Sequence, residues 1–452
     1  IGGNDSTNLS TLANNTTGSS NVAIGMAALL NNSTASNNTS VGYQSLRANT
    51  TGQENVAVGS NAGGANTTGN NNTFVGRDSG AANTTAGNNT FIGERAGVSN
   101  TTGDESVAIG QFAYASNTTG VDNVAIGRAA LSNNTTANYN VANGRSALEA
   151  NTTGTRNTGI GHRAGYLITT GSSNVAVGDS SLTAHTTAGG STAVGRASLN
   201  GSTAGGNTAV GYHSALNATS GDALVIMGYE AGEDLTSGSH ATLLGYRAAF
   251  NLTTGNYNTV VGSNTAAAMT TASNNTIIGY GAGSAVIDGS NSILIGYEAN
   301  VSASGRSELV IGTSIVGKGD NTGLIYPPGG GAIYNAGNTT TWQQTSDERI
   351  KKNIKDNTTG LDVINQIKVR NFEYRTEDEI TEVPSEAAID KEGVQLGVIA
   401  QEIETILPDI VTEESTGVKS VSPDNLTWYL VNAVKELSSQ VDELKAKLNK
   451  GE

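Results

Sequence analysis

The sequence contains no cysteine, so disulfide staples are excluded and stability has to come from elsewhere, for example an oligomeric interface. Proline is scarce, with 5 in 452 residues, and aromatic residues make up only 5%. So few large side chains cannot build ordinary globular cores along a chain whose length suggests about three domains of roughly 150 residues. No run of 18 apolar residues occurs, so no membrane span and no membrane insertion are expected. Lysine is missing altogether from residues 1–312, which hold 10 Arg and 16 acidic residues. With a net charge of −15 and no basic stripe in either part, the balance argues against nucleic acid as the main partner. The four histidines all precede residue 312, and no cluster has metal-ligand spacing, so no metal and no cofactor is expected. The chain begins at Ile1 rather than Met, which predicts that an N-terminal part, with any anchor or signal it carried, has been removed.

What is abundant is small and polar. Asn, Thr, Gly, Ala and Ser dominate the first two-thirds, a composition that in isolation resembles disorder. Strict periodicity rules that out. The glycine that closes Asn21-Val22-Ala23-Ile24-Gly25 recurs every 17 residues through Gly195. One residue is dropped before Gly211, the period resumes through Gly296, and another residue is dropped before Gly312. About eighteen copies at fixed period specify a solenoid.

Each place in the repeat has a physical reading. The residue before the glycine is Val or Ile (Ile24, Val41, Val58, Val75, Ile92), and the residue three before it is Val or Thr (Val22, Thr39, Val56, Thr73, Thr90). Two positions apart, they share one face of a strand, and their β-branched side chains are expected to stack rung on rung in the interior. The third residue after the glycine is small (Ala28, Ser45, Ala62, Ser79, Ala96), as a close backbone approach requires. Asn49 to Gly52 and Asn117 to Gly120 read Asn-Thr-Thr-Gly, which is turn chemistry. Seventeen residues leave room for two strands of about five residues, each ~17 Å long, and two turns. Eighteen such rungs make a shaft of roughly 85 Å. A coil this thin leaves too much apolar edge for a lone chain, so three chains are expected side by side.

The Val-Ala-Ile-Gly units at Val107 to Gly110 and Val124 to Gly127 resemble the coils of trimeric autotransporter adhesin heads, over about residues 20–312. The resemblance implies a left-handed parallel β-roll, with the extra residues of this longer repeat in the Thr-Thr-Gly turn. Asn143 breaks the Val/Ile position and reads as a satisfied polar defect in the interior, with a ligand or ion site as the other reading; Met227 and Leu244 also depart from it. Tyr43, Tyr212, Tyr229, Tyr246, Tyr280 and Tyr297 directly follow the glycine, as do Arg77, Arg128, Arg145 and Arg196. Such a row suits either sugar rings or packing between chains. The Asn-x-Thr triplets are read as turn residues and not as glycosylated sites.

After Gly312 the period stops, and residues 313–345 read as a connector containing Tyr326-Pro327-Pro328. From Ser346 the composition becomes that of an α+β domain rich in Lys and Glu. Leu361 to Ile367 and Gln401 to Leu407 read as helices, and Val369 to Tyr374 and Val394 to Ile399 as strands. Leu430, Val434, Leu437, Val441, Leu444 and Leu448 alternate spacings of four and three, the seam of a short parallel coiled coil over about 426–450, with an amphipathic helix lying on the domain as the other reading.

Ser346-Asp347-Glu348-Arg349-Ile350-Lys351-Lys352-Asn353-Ile354, then Gly397-Val398-Ile399-Ala400-Gln401-Glu402, then the heptads, resemble the intramolecular chaperone domain of phage tail fibres and endosialidases, the peptidase S74 domain. The resemblance implies a domain that trimerises, templates the preceding β-stalk and then cuts itself off. By that correspondence Ser346 is the nucleophile, Lys351 its base, and Thr345–Ser346 the scissile bond. A serine paired with a buried neutral lysine is workable hydrolase chemistry, and the absence of His after residue 312 excludes a Ser-His-Asp triad inside this domain. Any enzymatic activity is confined to that self-cleavage.

The expected fold is therefore mostly β: a trimeric parallel β-solenoid over 1–312, then a small α+β chaperone domain over 346–452 ending in a trimeric coiled coil. The expected function is a trimeric phage tail fibre on the virion tail that binds a host cell-surface glycan or protein receptor. A bacterial surface or secreted adhesin with the same chaperone is the alternative. A glycan-degrading tailspike ranks lower, because the repeats offer no recurring pair of carboxylates at glycosidase spacing.

Overall fold

The computed structural model describes residues 10–302, 305–327, 333–335, 343–344, 347–383, 389, 391–414 and 417–451. The chain divides into two compact units, Ile1–Thr345 and Ser346–Glu452.

The first unit is a parallel β-solenoid. Eighteen short strands run from β1 (Val22–Ile24) to β18 (Leu309–Gly312), each pairing in parallel with the next rung, at a 17-residue shift as in Val22 with Thr39 and Ile24 with Val41, or at 16 where a residue is dropped, as in Thr192 with Thr208 and Ile293 with Leu309. The glycine that ends each strand is needed for close approach. At Gly93, with φ +132°, a Cβ would lie 2.6 Å from the carbonyl oxygen of Gly110 on the next rung. One further coil, 14 residues long, follows: β19 (Gly323–Tyr326) pairs in parallel with β18 before β20 (Ile333–Asn335) reverses direction against it and pairs antiparallel with β21 (Gln343–Gln344).

Each coil has one strand of three or four residues, not the two longer ones expected. The rest is turn, and it is held in left-handed backbone that propensity does not foretell. Leu29, Leu46, Leu131, Leu148, Leu182 and Leu199 have φ between 45° and 52°. For a leucine this is a costly conformation, offset here by full burial of all six side chains.

The interior is also the opposite of the expected one. Val22 and Ile24 are 48% and 49% exposed, whereas the residue between them on each strand (Ala57, Phe74, Phe91, Ala108, Ala125) is fully buried. The alternation was read with the right parity but the wrong face inward. The interior is thin and admits mostly Ala, Ser or Gly from the strand, with bulk supplied from the turn. In most rungs with a small strand residue the turn residue is large, as in Ala125 with Leu131, Ala142 with Leu148 and Ala108 with Tyr114; where both are small, as in Ala57 with Gly63, neighbouring side chains such as Phe74 fill the space. Where the strand carries a ring, the turn carries glycine: a Cβ on Gly97 (φ +57°) would lie 2.5 Å from the Phe91 ring. Asn143, read as an interior defect, is therefore exposed on the outer strand face. The small third residue behaves as expected, since Ala28, Ala62 and Ala96 are fully buried.

Two polar columns tie rung to rung. Asn32, Asn49, Asn66, Asn83, Asn100, Asn117, Asn134 and Asn151 each donate from Nδ2 to Oδ1 of the asparagine one rung back, at 2.7–3.1 Å. The same nitrogens close the Asn-Thr-Thr-Gly turn, as in Asn49 to the Gly52 carbonyl at 2.9 Å. In the second column Asn38, Asn55 and Asn72 receive the following rung's backbone N–H on Oδ1. Buried amides tolerate this setting because their bonds are met.

In the second unit, β22 (Arg370–Phe372) pairs antiparallel with β23 (Gln395–Gly397), and β24 (Val411–Glu413) with β25 (Lys419–Val421). Among the described residues three α-helices accompany them: α1 (Leu361–Ile364), α2 (Ala400–Glu404) and α3 (Asp424–Lys450), the last ending at left-handed Gly451. No helix among the described residues is long and apolar enough to cross a membrane.

Candidate functional site

The motif at the start of the second unit forms a capped turn. Asp347 accepts from the Arg349 backbone N–H at 2.9 Å and caps the one-turn helix Glu348–Ile350. The Arg349 guanidinium also donates to that carboxylate at 2.6 Å, and this bond holds the Asp347 carboxyl below its ordinary range. The turn closes through the Lys351 N–H to the Glu348 carbonyl at 2.9 Å, and Lys351 itself is exposed. Of the residues assigned to self-cleavage, Thr345 and Ser346 lie outside the described residues; Lys351 is placed. Among the described residues nothing buries Lys351, as a neutral lysine base would require.

The second motif links strand to helix. Glu402 of α2 pairs with Arg370 of β22 at 2.7 Å, and Glu404 pairs with Lys419 of β25 at 2.6 Å. Behind them sits a small core of Ile403, Leu407 and Ile410, with Val398, Leu426 and Tyr429 packed against it. By contrast Ile350, Ile354, Val369, Leu396 and Trp428 are exposed.

Helix α3 has two working faces. One lies on its own unit: Tyr429 Oη donates to Asp409 at 2.9 Å, Ala433 is buried, and Glu436 accepts from the Leu361 N–H at 2.9 Å. The heptad residues occupy the other face, and Leu430, Val434, Leu437, Val441, Leu444 and Leu448 are all exposed.

On the shaft, the outer strand face presents a ladder of mostly Val, Ile and Thr across eighteen rungs, broken by Asn143 and by Met227, Leu244 and Leu309, with Val22, Ile24, Val56, Val58, Ile92 and Ile109 among its exposed members. The column after the glycine runs beside it and changes character along the shaft. Arg77 bonds to Glu94, Gln111 to Glu94 at 2.9 Å, and His162 to Asp179 at 2.9 Å. The His162 bond, with Arg196 nearby, lowers the Asp179 carboxyl. Further on, tyrosines stack: Tyr212 on Tyr229 at 5.0 Å, Tyr229 on Tyr246 at 5.5 Å, and Tyr280 on Tyr297 at 5.5 Å. Sequence reading found this row but assigned the strand ladder inward. The signal that could have corrected it is the residue between the two β-branched ones, which is small in most rungs, apolar in the rest, and never charged.

Comparison with known proteins agrees with this division. Residues 346–412 match the Peptidase_S74 family, described as chaperone of endosialidase. The chain is similar to the long tail fiber protein Gp37 of Salmonella phage S16, 30% identical over 154 residues that cover 31% of this chain and 20% of that protein. It is also similar to Gp37 of Enterobacteria phages M1 and Ox2, both 28% identical, over 28% and 27% of this chain and 46% and 45% of theirs. The matches thus span from a fifth to under half the length of these relatives. No solved structure matches the chain.

Proposed function

We propose that this chain forms the adhesive shaft and maturation domain of a homotrimeric phage tail fibre, located on the virion tail. The observation that carries the reading is the exposed apolar ladder on the outer strand face, which ends in a chain segment matching a chaperone family. An apolar strip this long is unsuited to water and fits identical strips on neighbouring copies. The second unit has the same shortage: few residues are fully buried and a heptad seam stands exposed, so association of three seams would complete its core. The similar tail fibre proteins favour this reading over a bacterial surface adhesin.

In this reading the C-terminal domain aligns three chains before the shaft zips. Non-local parallel pairing is slow, and it exposes edges while it proceeds. Cleavage then follows at Thr345–Ser346. Ser346 Oγ gives its proton to Lys351 and attacks the Thr345 carbonyl carbon. The C–N bond breaks as the Ser346 nitrogen takes the proton. The resulting ester is hydrolysed by water, which leaves a Thr345 carboxylate and a free Ser346 amine. Burial of exposed Lys351 by neighbouring copies would switch the reaction on only after assembly.

Intact mass under denaturing conditions tests the self-cleavage. Wild type is expected to give two fragments divided at Thr345–Ser346, and Ser346→Ala a single 45.8 kDa chain. One uncut chain in both would leave the domain as a retained assembly cap with no peptidase role.

A further inference from the structure

The tyrosine ladder is interrupted once. Tyr212, Tyr229 and Tyr246 stack on successive rungs; the next rung carries Ser263, and stacking resumes with Tyr280 on Tyr297. The strands that set this column stay in register across the gap, Leu244 with Val261 and Val261 with Ile278. At about 4.8 Å per rung, Tyr246 and Tyr280 are roughly 10 Å apart. That is twice the 5.0–5.5 Å at which neighbouring rings of the same ladder stack. A single ring fits between them, with a tyrosine on each face.

The surroundings of the gap are polar and in part unused. At this place in the coil Asn61 spends its amide on Asp78 of the next rung at 3.0 Å. The equivalent Asn264 faces Gly281 instead, and its side-chain amide has no hydrogen-bond partner among the described residues. A Cβ on Gly281 would meet only Glu298, at 3.4 Å, so the space beside Asn264 is open. On the preceding rung Arg247 is fixed by Glu230 at 3.3 Å and by the Phe250 ring at 4.1 Å. Both flanking rings are accessible, Tyr246 being 47% and Tyr280 51% exposed. Two aromatic faces with hydroxyl, amide and guanidinium groups at the rim suit a ring with C–H faces and a hydroxyl edge. A nucleobase meets the wrong charge, in a chain of net −15.

We propose that the gap at Ser263 is a saccharide slot, in which one pyranose ring of a cell-surface glycan lies between Tyr246 and Tyr280 with its hydroxyls on Asn264 and Arg247. The proposal rests on the adhesive reading of the shaft and is independent of self-cleavage. Saturation-transfer NMR on the full chain tests it, using methyl glucoside, methyl galactoside, methyl mannoside and N-acetylglucosamine as probes. Transfer to ring C–H protons of at least one probe is expected. It should fall at least tenfold in Ser263→Tyr, which completes the ladder and fills the slot, and in Tyr280→Ala, but not in Tyr43→Ala. No transfer to any probe in wild type, or full transfer in Ser263→Tyr, overturns the slot. So does a Ser263→Cys thiol that reacts with maleimide only after unfolding, because another copy then covers the site. Adsorption of the fluorescent full chain to enterobacterial cells separates the two readings. Adsorption without pyranoside contact overturns the slot alone, and neither in wild type overturns the adhesive reading with it.

Discussion

The two halves of the shaft share one backbone and fill it differently. Through Asn151 the buried turn column is asparagine linked amide to amide; from there on it reads Ile168, His185, Ser202, Ala218, Leu235, Leu252, Met269 and Val286. The strand column changes further along, from mostly Ala to Ile226, Leu243, Val260, Ile277 and Leu294. A hydrogen-bonded ladder is directional and saturable, whereas an aliphatic stack gains by area and tolerates irregular rungs. The seam is visible where the two meet: Asn151 Oδ1 has no partner, because the next rung offers Ile168 instead of an amide. Identical asparagine rungs leave register poorly specified, since a slip of one whole rung restores every bond. The irregular packing breaks that degeneracy. Phe74, Phe91 and Tyr114 pack as tilted rings with centroids 5.7 and 6.4 Å apart, against Gly80 and Gly97, and a slipped chain would set these rings against alanine or leucine turns.

The comparison breaks most readily in the aliphatic half. Leu243→Ala empties a fully buried site and is expected to cost about 2–5 kcal/mol per chain in denaturant unfolding, with the loss set by how far the cavity collapses. Asn100→Ala in the polar half removes the donor to Asn83 Oδ1 and to the Gly103 carbonyl, and the acceptor for Asn117. The Gly103 carbonyl keeps Asn89 Nδ2 and Asn117 Nδ2 keeps the Gly120 carbonyl, so Asn83 Oδ1 alone is orphaned, which costs about 1–3 kcal/mol when water cannot reach it. The alanine leaves room beside the turn, so a total loss near the lower end, roughly 1–2 kcal/mol, is expected. Losses of equal size at the two sites would mean that the ladder and the aliphatic stack stabilise the shaft alike.

Sequence alone carried the period, the closing glycine, the strand positions and the long C-terminal helix, because each is a local pattern repeated many times. Which strand face turns inward was not carried. Val and Thr at one parity and Ala at the other satisfy the same alternation, and the choice depends on interior volume set by turn residues six places away, such as Leu131 against Ala125. The single strand per coil was hidden for a related reason: leucines such as Leu46, at φ 45°, adopt a conformation their propensity opposes, and only burial explains it. The motif from Ser346 to Ile354 was legible from residue order, yet one chain leaves Lys351 exposed.

The smallest effect expected is a gain, and it falls at the seam between the halves. His185 occupies the turn column with a fully buried ring; Nδ1 lies 3.3 Å from the Ser202 carbonyl and Nε2 has no partner. Burial pushes its pKa below the ordinary histidine value. The unfolded chain therefore takes up the proton first, at about pH 6.5. Above that pH this residue leaves stability unaffected by pH. As pH falls below it, the unfolded state gains a proton that the folded state refuses, and stability drops by at most about 1.4 kcal/mol per pH unit until the folded ring titrates. His185→Leu keeps the site filled and removes the orphaned nitrogen. Urea unfolding at pH 7.5 and pH 5 should show the variant equal to wild type or up to about 1 kcal/mol more stable at the higher pH. The difference should widen at the lower pH. An unchanged difference between the two pH values would place the His185 proton outside the folding equilibrium, and the polar-to-aliphatic seam would then be a matter of packing alone.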